Sequence, residues 1–170
     1  MKRLAQILTI LGSAAMLAGA VDPLEGLVLI LPGSGLAALG AFLGQGERRL
    51  VIYRLVTFGM IGFGAGAMCL FSALGGIGGN SAHSMWWGLL MLPYFIGWSM
   101  GIWAPKSPPW VLWTGIGVGA WYLTLFGMIL HSGRPRGVEF ALPVMVIAAV
   151  GVLTIGGCVS RLRHRGPGGR

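Results

Sequence analysis

Charge is the scarcest property of this 170-residue sequence: 9% of it is Asp, Glu, Lys or Arg, against roughly a quarter in soluble domains. That excludes an ordinary water-soluble globule. Acid is scarcer still, with 4 Asp+Glu against 12 Lys+Arg and a formal net charge of +8. Apart from Arg54, every ionisable residue falls in a turn, a loop, a tail or the end of an apolar stretch. Ion-coupled pumps and proton relays need carboxylates or histidines at mid-depth, so this absence argues against both. Cysteine is limited to Cys69 and Cys158. They fall toward opposite ends of their segments, tens of ångströms apart at about 1.5 Å per helical residue, which excludes a disulfide. Both read as small apolar packing residues.

What is present is apolar. Hydrophobic residues make up 55% of the chain and glycine contributes 31 positions. A hydrocarbon core of about 30 Å takes roughly 20 helical residues to cross. Six segments meet that length: residues 4–21, 26–43, 50–74, 85–103, 110–130 and 138–159. They are continuously apolar, without the alternation of a lipid-facing barrel strand. The expected fold is therefore an all-α, polytopic transmembrane bundle of six helices within residues 1–159, followed by a basic tail over 160–170.

Lysine and arginine set the orientation, because cytoplasmic loops carry their excess. With the N-terminus inside, ten fall on the inner side and only Arg134 and Arg136 on the outer side. Arg54, about one turn into its helix, is expected to snorkel its guanidinium to the inner headgroups. Trp86 and Trp87 at the outer end, and Trp103, Trp110 and Trp113 around the inner loop, fit the aromatic belts. This pattern predicts both termini in the cytoplasm, in a bacterial plasma membrane. The first segment also resembles a secretory signal, with Ala18-Gly19-Ala20 as an A-x-A site whose cleavage would leave five helices. The turn Asp22-Pro23-Leu24-Glu25 argues for retention instead, since it joins two helices compactly.

Helices in lipid associate through close backbone approach, which small residues permit. Gly40 and Gly44, Gly62 and Gly66, and Gly115 and Gly119 have small-xxx-small spacing, while Gly12, Ala15 and Gly19 line the first segment. Intramolecular packing is the simpler use of these faces, and an oligomer face the sharper one. Three Leu-Pro pairs, at Pro32, Pro93 and Pro143, lie at similar depth in helices of one direction. They suggest three related helical hairpins, each with a kink or solute notch where proline removes an amide donor.

Candidate chemistry is thin. His83, His131 and Glu139 share the predicted outer side and could hold a transition metal or haem, but without a recognised ligand spacing. No cofactor is expected. The loop from Gly75 to Ser81 lacks the phosphate-loop pattern, and Gly33-Ser34-Gly35 lies within a membrane segment. Membrane serines and threonines are expected to bond back to their own helix. In the tail, Arg161, Arg163, Arg165 and Arg170 are expected to contact anionic lipid of the inner leaflet rather than nucleic acid. The leading expectation is a non-enzymatic accessory or structural subunit that pairs with other membrane subunits or with itself. A small channel or carrier for a neutral or lipophilic solute is the alternative, and a metal- or haem-binding membrane protein the second.

Overall fold

The structure, a computed structural model, describes residues 2–22, 25–44, 47–76, 84–132 and 138–164. Among these residues the chain is all-helical. It forms α1 (Lys2–Gly19), α2 (Leu27–Leu43), α3 (Arg48–Ala73), a 3-10 segment (Met85–Met91), α4 (Leu92–Ile102), α5 (Pro109–His131) and α6 (Val138–Arg163). Three helical stretches are long and apolar enough to cross a bilayer: α3, α5 and residues Val144–Arg163 of α6. Only 28% of the apolar window of α3 and of α5 is buried in the bundle, and large side chains such as Phe63, Trp113 and Met145 point outward. Such a surface suits lipid and not water, as expected of a membrane-integral protein.

The full set of six expected membrane-spanning helices is not observed among the described residues. α1 and α2 have 18 and 17 residues, and α4 only 11, roughly 16 Å of helix. The expected single helix over 85–103 is divided at Pro93. Proline cannot donate to the carbonyl four residues back, and its ring crowds that oxygen. The Leu89 carbonyl instead accepts from the Leu92 N–H, a three-residue step, so the preceding residues wind as 3-10 helix. Pro93 then occupies the first turn of α4, where a missing N–H costs nothing.

Consecutive helices pair most extensively, α1 with α2, α3 with α4 and α5 with α6. In the first hairpin glycine recurs every seven residues, at Gly12, Gly19, Gly26, Gly33 and Gly40. A seven-residue period keeps one seam facing the partner, and here the seam is bare backbone. A Cβ at Gly33 would stand 2.9 Å from the Gly12 carbonyl oxygen, and one at Gly40 would stand 2.7 Å from that of Ala5. The third hairpin closes similarly, Gly119 and Gly151 each bringing the other's carbonyl to 2.9 Å from a would-be Cβ.

α4 is the axis of the bundle. It touches all five other α-helices and buries Tyr94, Gly97, Trp98, Ser99, Gly101 and Ile102. Around it Met16, Leu17, Ile61, Val111, Leu112 and Tyr122 complete the core.

Candidate functional site

The densest polar arrangement among the described residues lies at the C-terminal end of α4. The last carbonyls of a helix lack intrahelical partners and carry the negative end of its dipole. Here they are met by side chains of α3 and α6. The Tyr53 hydroxyl donates to Met100 O at 2.9 Å, the Arg54 guanidinium to Gly101 O at 3.2 Å, and Arg161 Nε to Trp103 O at 3.2 Å. The Tyr53 hydroxyl lies within electrostatic range of both guanidiniums. Arg54 is 3% exposed, so it does not reach out to headgroups as expected. α4 stops short of the bundle end, and its free carbonyls draw the guanidinium inward.

The turn that follows is shaped by the same contacts. Trp103 lays its indole over α6 at Gly157, where a Cβ would fall inside the ring. Ala104 O accepts from Ser107 N–H at 3.1 Å, closing a turn in which Lys106 has φ +63°, a conformation that usually takes glycine or asparagine. Lys106 pairs with Glu47 at 3.0 Å. The Ser107 hydroxyl and the Trp103 indole N–H are both buried with no partner.

At the other end of the core, the Tyr122 hydroxyl donates to Ala20 O at 3.0 Å and so caps α1. Its ring packs on that of Trp98, 5.7 Å between centroids. α5 runs about two and a half turns past Tyr122 to His131. The α1–α2 turn, with Asp22, is thus recessed below the ends of the longer helices. Between the two ends, Thr154 stands 3.2 Å from Ser99 Oγ and joins α6 to α4. Thr57, Ser99, Thr114, Thr124 and Thr154 all donate to the carbonyl four residues back, as membrane hydroxyls commonly do.

The residues singled out from the sequence are scattered. His131 is exposed at the last position of α5. His83, the Glu139 side chain, Arg165 and Arg170 lie outside the described residues, and among those described no group of three His, Cys, Asp or Glu could hold a metal. Pro32 is exposed within α2 and Pro93 begins α4. Pro143 falls in α6, with its side chain outside the described residues. Arg161 turns to Trp103, whereas Arg163 is exposed.

The glycines divide more informatively. Gly40 and Gly44 pack on α1, and Gly115 and Gly119 pack on their neighbours. Gly62 meets only a Leu31 methyl at 3.9 Å, and Gly59 and Gly66 face open space. Spacing alone missed Gly64, which seats Tyr94, as well as Gly97 and Gly157. The seven-residue period was the available clue to the first hairpin. No family model, curated protein or solved structure matches the chain.

Proposed function

We propose that this chain is a multi-pass membrane protein without a catalytic centre of its own, acting as an accessory or structural subunit in a larger membrane assembly. The observation that carries the reading is the contrast between its glycine rows. The rows Gly12/Gly19, Gly33/Gly40 and Gly115/Gly119 are consumed in packing inside the bundle. Gly59 and Gly66 of α3, three and four residues either side of the nearly open Gly62, instead form a row on one helix face that meets open space; Gly117, Gly127 and Gly156 are open too, but singly. In lipid such a face gains nothing from burial of apolar area and is useful for close approach of another helix. The proposed arrangement keeps all six helices in a bacterial plasma membrane with both termini cytoplasmic, in line with the lysine and arginine distribution.

The test is the native mass of the tagged protein in mild detergent, with co-purifying polypeptides identified. Stoichiometric foreign subunits that are lost in Gly66→Leu, while the variant keeps the parent's thermal stability, are the expected result. A clean monomer overturns the accessory role and moves the question to solute flux.

A further inference from the structure

We propose that the C-terminal end of α4, with Arg54 of α3 and Arg161 of α6, is a binding site for the phosphate of an anionic lipid headgroup. Two guanidiniums converge on one short stretch of carbonyls, from Met100 to Trp103. A helix C-terminus supplies only about half a negative charge. The sequence has four acids, and Asp22, Glu25 and Glu139 belong to the opposite end of the helices. Glu47, the remaining one, is paired with Lys106. Two full positive charges, one of them on a residue only 3% exposed, therefore share a partner too weak to balance them.

An arginine has five N–H donors in a planar fork suited to phosphate. Among the described residues, Arg54 and Arg161 each spend one on α4. The same turn holds two further donors with no partner, the buried Ser107 hydroxyl and the Trp103 indole N–H. Arg161, half-buried near the end of α6, is the arm a lipid phosphate reaches first, and Arg54 supplies the deeper charge. Unlike Arg163, which is exposed on the same helix, Arg161 is held in place before any ligand arrives. The inference rests on placing this end of the bundle at a membrane surface and not on the accessory role, because it concerns the purified chain alone.

Native mass spectrometry of the full chain, released from micelles doped with phosphatidylglycerol or phosphatidylcholine, tests it. Retention of phosphatidylglycerol over phosphatidylcholine is expected, weakened about ten-fold or more in Arg161→Gln, only partly kept in Arg161→Lys, which holds the charge but not the fork, and unchanged in Arg163→Gln. Arg54→Gln should match Arg161→Gln, and where it fails to fold the Arg161 pair decides. Inorganic phosphate is run in parallel: tight binding of it that shows the same dependence on Arg161, with no lipid retained, keeps the site and makes free phosphate its ligand. Equal retention of the two lipids without such phosphate binding, or equal losses in Arg161→Gln and Arg163→Gln, overturns the proposal in favour of general surface charge.

Discussion

The Arg54 guanidinium donates to the carbonyl oxygen of Gly101 at 3.2 Å, from a residue that is 3% exposed. This contact ties α3 to the end of the central helix and explains why α4 can terminate inside the bundle. A helix that ends among packed side chains must find protein donors for its last carbonyls, which have no partner within the helix. Tyr53, Arg54 and Arg161 are those donors.

Removal of the Arg54 side chain should therefore cost stability. Arg54→Ala leaves the Gly101 carbonyl without its donor and opens a void beside α4, offset in part by removing a buried charge that lacks a full counter-charge, for a net loss of about 1 to 3 kcal/mol. Arg54→Lys keeps one charge and one donor and should recover part of that. Thermal unfolding in detergent checks both, and an alanine variant as stable as the parent would show that the contact carries no net energy.

Gly157 and Gly66 offer a matched comparison of the two kinds of glycine. Alanine favours a helix over glycine by up to about 1 kcal/mol, so both substitutions start with a gain. At Gly66 nothing lies within 4 Å of the added methyl, and that gain should persist. At Gly157 the methyl would enter the Trp103 ring. The indole must then move, and the net effect should be a loss of about 1 to 3 kcal/mol. If both variants shift the unfolding temperature in the same direction, the Trp103 seat is not tightly packed.

Much of this architecture is legible in the sequence, and the failures have physical causes. The helical class, the apolar lengths of α3, α5 and α6, and the back-bonded hydroxyls follow from local composition. Arg54 departs from the snorkelling that its position near a helix start predicts, because nothing local announces that α4 ends beside it. Gly62 and Gly66 have the spacing of a packed pair, yet one meets a single methyl group and the other nothing. Spacing describes what a face permits, and only the tertiary arrangement decides whether it is used. The division at Pro93 was available in principle, since a proline eight residues into a helix must disturb the carbonyl four residues earlier.

That proline gives a distance to measure. A 3-10 helix rises about 2.0 Å per residue and an α-helix about 1.5 Å, so converting the seven residues Met85–Met91 shortens the segment by roughly 3.5 Å. Pro93→Ala restores the donor and removes the clash, and the segment should become α-helical. Spin labels at Trp86→Cys and Trp110→Cys, in a Cys69→Ala background, should approach one another by a few ångströms. An unchanged distance would mean that contacts of the segment with α3, not the proline, hold the 3-10 form.

The signal-like first segment is built into the core of the bundle. Cleavage after Ala18-Gly19-Ala20 would act on a residue that is fully buried and whose carbonyl accepts the Tyr122 hydroxyl at 3.0 Å. It would also strip Gly26, at the entry to α2, and Gly33 and Gly40 within it of the partner they are spaced to meet, and remove Met16 and Leu17 from the core. α1 is thus expected to remain, and the intact mass of membrane-extracted protein should include residues 1–20. A chain beginning at Val21 would overturn the expectation. Tyr122→Phe examines the same junction more gently: it orphans the Ala20 carbonyl at a cost of about 1 to 2 kcal/mol. Thr124→Val, on an exposed position of the same helix, should stay within about 0.5 kcal/mol of the parent. If the two variants unfold together, α1 is docked by its glycine seam alone and the tyrosine cap adds nothing to it.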